Sequence, residues 1–196
     1  MKKTLIILVA VLAVVVLYSL NVYNKAVSLD ENVKAAWSGV LNQYERRSDL
    51  IPNLVATVKG YAGHESKVLT DVVEKRAQAL QMRITADDLS DAQKMTAFQK
   101  AQSELGGALS RLLAVAENYP DLKANQNFLA LQSQLEGTEN RIAVARKDYI
   151  DILKQYNMLL RKVPAKWVLA IFGDFEKRAE YSIDESKKAV PAVSFD

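Results

Sequence analysis

No cysteine occurs among the 196 residues, which excludes disulfides, thiolate metal sites, a cysteine nucleophile and a lipid-modified cysteine at the N-terminus. Glycine (7) and proline (4) are scarce, and so little punctuation favours a few long helices over many short strands. Histidine occurs once, at His64. A single histidine cannot supply the two Glu-x-x-His helices of a di-iron bundle, and "HESKV" fails the zinc-protease pattern because Val68 stands where the second ligand belongs. No glycine-rich phosphate loop follows a strand, and His64 at a helix junction is badly placed to complete a Ser-His-Asp set. No cofactor is expected. An excess of one charge sign is missing too: setting Lys2 and Lys3 aside leaves 24 of the 26 Lys and Arg against 23 Asp and Glu. The signs alternate along the chain, which argues against a nucleic-acid-binding stripe.

What the sequence does have is one long charge-free run, Thr4 to Leu20, extended by Asn21 to Tyr23 to the ~20 residues that cross a bilayer as a helix. A cleaved signal peptide would want a shorter apolar run ending in a small-x-small site; here the run continues past Ala13, which favours an uncleaved anchor. Lys2 and Lys3 precede the span, and by the positive-inside rule the N-terminus is expected in the cytoplasm.

No glycine or proline precedes Gly39, so the anchor is expected to run straight into a first soluble helix ending near Tyr61, with Gly63 suited to a left-handed cap. A second helix is read from about His64 to Met82, with Val68, Leu69, Val72, Val73, Arg76 and Leu80 on one face. Met95, Phe98, Gln102, Leu105, Leu109, Leu112, Ala116 and Tyr119 mark a third. The fourth carries apolar positions from Phe128 to Val163, and stripes sustained that long indicate coiled-coil-like packing. The fold class is therefore all-α, an N-terminal transmembrane helix followed by an elongated antiparallel four-helix, coiled-coil-like bundle. Its parts are the N-terminus and anchor (1–23), the bundle (24–163), a short apolar segment (164–175) and a mobile charged tail (176–196). In the apolar segment, Trp167, Leu169, Ile171 and Phe172 read equally as a cap over the bundle end or as membrane-surface contacts.

"RRSDLIPNLV", from Arg46 to Val55, interrupts the first stripe. The stripe keeps phase across it, so Pro52 is expected to kink one helix, freeing the Ser48 carbonyl at a cost of ~3 kcal/mol. Arg47, Asn53 or polar groups on a facing helix are the candidate donors that offset the loss. Arg47 occupies a core slot and must be paired or snorkel to water. If Tyr23 is level with Val163 in an antiparallel pair, Arg47, 24 residues further on, faces position 163 − 24 = 139, which is Glu139, with Glu136 one turn away. Such a pair would fix register and carries no chemistry. "LGGALS" puts Gly106 and Gly107 inside a helix, read as close helix packing.

Taken together, "AAW" at Trp37, "RRSDLIPNL", "HE" at His64, "ENYPDLKAN" from Glu117, "EGTENRI" from Glu136, "YN" at Tyr156 and the closing "VSFD" resemble the LemA family over nearly the whole chain. Ile150 departs from the family pattern, which usually has asparagine there. The resemblance implies a membrane-anchored antiparallel helical bundle with no established activity. It implies an envelope partner as well, of the TPM-domain or membrane-metalloprotease type.

Two functional readings follow. The first is a non-enzymatic scaffold of the bacterial inner (plasma) membrane, single-pass, its bundle periplasmic or otherwise extracytoplasmic, that self-associates and organises or remodels the envelope. The second is a binding module presenting a helical groove around Arg47, Pro52 and Asn53 to a partner membrane protein. An enzyme would need paired acids or an activated nucleophile, and none is assembled. Self-association is expected through a stalk. Helices one and four each span ~60 Å but helix two only ~30 Å, which would leave Val33, Trp37, Val40, Ile152, Leu153, Tyr156, Leu159 and Leu160 open near the membrane.

Overall fold

The computed structural model describes residues 1–173 and 175–181, and the remainder of the expected tail, 182–196, lies outside the described residues. Among the described residues there is no strand. The helices are α1 (Lys2–Tyr61), α2 (Ser66–Gln81), α3 (Ala92–Ala116), the single turn α4 (Pro120–Lys123), α5 (Gln126–Arg161) and α6 (Ala165–Phe172), with a 3-10 turn at Ala86–Ser90.

The apolar run and the bundle are joined without a break in α1, whose 60 residues reach ~90 Å. It is the one described helix with a stretch long and apolar enough to cross a membrane, and almost none of that stretch is buried. α5 runs antiparallel to α1 in a fixed register. Asn125 Nδ2 donates to the Tyr61 hydroxyl at 2.9 Å, Arg47 meets Glu139, and the Trp37 ring packs at a tilt on Tyr149, 5.1 Å between centroids. The steps match: 14 residues from Tyr61 to Arg47 against 14 from Asn125 to Glu139, then 10 against 10. The same count would carry Tyr23 to position 163, just past the end of α5 at Arg161.

The α2–α3 hairpin covers the distal half, packing Leu69, Val72, Leu105 and Leu112 against Ile51, Leu54 and Val58 of α1. Asp91 caps α3, its Oδ1 accepting from the backbone N–H of Gln93 and Lys94. The expected left-handed cap at Gly63 does not form: Ala62 closes α1 with φ −121°, and the left-handed glycine is Gly173, beyond α6. Neither Gly106 nor Gly107 is required by close packing. A Cβ would stand 4.0 Å from Arg47 Nη1 at the first and 3.6 Å from Arg111 Nη1 at the second.

The stalk is not open. Val33, Trp37, Val40, Leu153 and Tyr156 are buried, and Ile152, Leu159 and Leu160 are half-buried. Two covers were missing from the length argument. α3 extends below α2, and together with the connection before it brings Ile84, Leu89, Met95 and Phe98 onto Trp37 and its neighbours. The second cover is the start of the tail. Residues 175–181, all but the first expected to be mobile, form a strap whose Phe175, Ala179 and Tyr181 pack on the same core.

Candidate functional site

Three polar residues sit in otherwise apolar stripes: Arg47 on α1, Arg76 on α2 and Gln102 on α3. The fold brings them to neighbouring positions. Arg47 is 3% exposed. Its Nη1 donates to Glu139 Oε1 at 2.9 Å, its Nη2 donates to Gln102 Oε1 at 2.5 Å and to the Gln102 carbonyl at 3.2 Å, and its guanidinium lies 5.0 Å over the Tyr44 ring. Only Nε is left without a partner. Glu139 keeps half its side chain in water, so the buried charge is stabilised mainly by Gln102 and the Tyr44 face. Glu136 turns to solvent and accepts from Gln132 Nε2 instead.

Pro52 lies inside α1 and deprives the Ser48 carbonyl of its helical donor. The replacement comes from α2, where Arg76 Nε donates to that carbonyl at 2.8 Å. Arg47 and Asn53 do not fill this role: Arg47 is committed to Glu139 and Gln102, while Pro52 and Asn53 lie on the exposed face. Arginine and proline thus occupy different sides of the helix rather than one shared groove.

A groove exists on the other side. Leu41, Tyr44, Ser48, Leu80, Ile84, Phe98 and Gln102 line an open, mainly apolar cleft of about 190 Å³ between α1, the end of α2 and α3. Glu45 and Arg83 close its rim with a 3.0 Å ion pair. Among the described residues no group of His, Cys, Asp or Glu is arranged to hold a metal ion.

The strap is latched by its own polar set. The Asn157 side-chain amide pairs with both backbone groups of Arg178, accepting from its N–H and donating to its carbonyl, each at 3.1 Å. Arg178 reaches Asp30 at 2.9 Å and Ser90 at 3.0 Å, and the Ala179 N–H donates to the Leu89 carbonyl at 2.7 Å. Burial alone raises the Asp30 carboxyl; the hydrogen bonds and charges of Arg178 and Lys34 outweigh it and hold it below the usual aspartate range. Tyr149, beneath the strap, has its phenol pushed up to about 12 by burial.

At the other end of the strap, Ala165 and Leu169 of α6 bury against Val22 and Ala26 of α1, and Phe172 packs on the Tyr23 ring at 4.9 Å. Trp167 and Ile171 point away, 65% and 82% exposed. Leu169 therefore caps the bundle, whereas Trp167 and Ile171 do not.

The Arg47 partner on α5 was accessible from register arithmetic. Gln102 and Arg76 were visible only as intruders in apolar stripes, a signal that gains meaning once the α2–α3 hairpin is laid against α1. Nothing local marks Arg178 as a latch.

The chain is similar to two proteins of Paramagnetospirillum magneticum (strain ATCC 700264 / AMB-1), Magnetosome protein MamQ 1 and Magnetosome protein MamQ 2. Each is 27% identical to it, across 88% of this chain and 68% of theirs. The model of the LemA family matches residues 36–195, a span that begins after the apolar run and takes in most of the bundle, α6 and the strap. With most of its length inside that match, the chain belongs to the LemA family.

Proposed function

We propose that the protein is a non-enzymatic, single-pass membrane scaffold, its N-terminus cytoplasmic and its bundle on the far side of a bacterial inner membrane. The observation that carries this reading is the unbroken α1, which joins the apolar run to the packed bundle with no linker between them. A helix so joined, clamped by α5 and α6, holds the distal tip ~57 Å beyond Tyr23 and transmits force or position without a hinge. Because the lower core is spent on the chain's own hairpin and strap, copies would associate through their anchors and polar bundle faces. A shared bilayer raises their effective concentration. Native mass measurement of the full chain in lipid discs tests this: a discrete homo-oligomer is expected, and a strict monomer at every protein density refutes it.

The cleft beside Arg47 supports a second reading, a module that receives an apolar anchoring side chain from a partner envelope protein. A photo-crosslinker placed at Met82, on the cleft wall, separates the two. Adducts of one heterologous partner, lost when Leu80 is changed to Glu, favour the module; adducts between copies favour the scaffold.

A further inference from the structure

We propose that α6 is a second membrane contact, seated in the headgroup layer of the same bilayer that α1 crosses and drawn to acidic lipids. The inference rests on the reading of Thr4 to Tyr23 as the anchor. Twenty residues of helix match the ~30 Å hydrocarbon thickness, which sets Val22 and Tyr23 at its outer boundary. α6 is docked at that level, with Leu169 and Ala165 on Val22 and Phe172 on Tyr23. Its position in depth is therefore fixed by packing against the anchor itself.

The opposite side of α6 has no cover. Trp167 and Ile171, four apart on α6, form an apolar stripe 65% and 82% exposed, and Val163, in the turn before the helix, is 59% exposed. Tyr18 and Leu20 of α1, within one turn of the Val22 and Tyr23 that hold α6, are exposed as well. Tryptophan at such a boundary is the side chain with an apolar body and a polar edge that the interface accommodates. Arg161, Lys162 and Lys166 flank the stripe, and Lys25 lies just above the anchor, all four exposed. An apolar stripe bordered by cations is the signature of a helix lying in the plane of an anionic surface. A second protein copy would need no such depth and no such charge.

Trp167 is its own reporter, because the only other tryptophan, Trp37, is buried in the bundle 14 residues beyond Tyr23. The full chain is reconstituted in vesicles whose lipids carry bromine at shallow or deep acyl positions, with phosphatidylglycerol or phosphatidylcholine headgroups. The Trp167 emission is taken as the difference from Trp167→Phe. Shallow bromines in phosphatidylglycerol should remove most of it, deep bromines less, and Arg161→Gln with Lys166→Gln should weaken the loss. Equal quenching in phosphatidylcholine overturns the preference for acidic lipid. A blue-shifted but unquenched Trp167 means that protein covers the stripe and overturns the membrane contact. In a Trp167→Phe chain, Leu12→Trp should be quenched by deep bromines. If it is, and Trp167 is not, α6 alone is misplaced; if it is not, the anchor reading falls with it.

Discussion

Arg47→Met is the perturbation that best examines the account of the core site. Methionine fills much of the arginine stem, so the cavity contribution is small and the cost lies in stranded acceptors. Glu139 is half in water and resolvates, which limits that loss to ~0–1 kcal/mol, the range of surface pairs. Gln102 Oε1 is different: the residue is buried and its 2.5 Å donor disappears, a cost of ~1–3 kcal/mol. Arg47→Met alone should therefore cost ~1–4 kcal/mol. Gln102→Leu alone removes the side-chain acceptor and leaves the buried guanidinium under-satisfied, at ~1–3 kcal/mol. Together the two changes place methionine beside leucine in an apolar layer and should cost less than their sum by ~2 kcal/mol. The corresponding Arg47→Met and Glu139→Gln cycle should couple by under ~1 kcal/mol. Urea unfolding of the full chain in mild detergent, followed by helical ellipticity, gives all six free energies. Equal couplings in the two cycles, or additivity in both, would refute the assignment of Gln102 as the main partner.

Arg76→Met should strand the Ser48 carbonyl and destabilise by ~1–2 kcal/mol; in a Pro52→Ala chain, where residue 52 regains its N–H, the same change should cost measurably less, and an undiminished cost would disconnect the two residues. Asp30→Asn or Asn157→Ala should loosen the strap, read as faster tryptic cleavage after Lys177 and Arg178 while α5 stays intact; unchanged cleavage rates argue against the latch. Because the folded Asp30 carboxyl sits below its ordinary value, its contribution is present above about pH 4 and is lost as pH falls through the lowered folded value. Wild-type stability should therefore fall more steeply than that of Asp30→Asn in acid titrations below that pH. Gly107→Ala meets only the movable end of Arg111 and should stabilise by ~1 kcal/mol, seen as a higher melting temperature.

Helix identity and register were legible because both are periodic and local. The 3,4 stripes mark α1, α3 and α5, and one assumption about which ends meet is enough to set Arg47 against Glu139. The charge-free run likewise marks the anchor candidate without reference to anything else in the chain. Side-chain partners across three helices were not legible in the same way. Whether Gln102 or Glu139 carries the Arg47 charge depends on which of them is desolvated, and that is settled by where the α2–α3 hairpin lands. Arg76 acquires its role only because it arrives beside a carbonyl that Pro52 has emptied. The stalk shows the limit most plainly. Val33, Trp37, Val40, Leu153 and Tyr156 form an apolar surface in any reading of the sequence, but their cover comes from Phe98, on α3 far along the chain, and from a strap of mixed composition with no period. That strap is held by four hydrogen bonds made by its backbone groups, to the Tyr156 and Asn157 side chains and the Leu89 carbonyl, by a Tyr44–Tyr181 hydroxyl contact and by one arginine. Backbone groups are the same in every sequence, so only the tertiary structure could decide that this segment packs over the core.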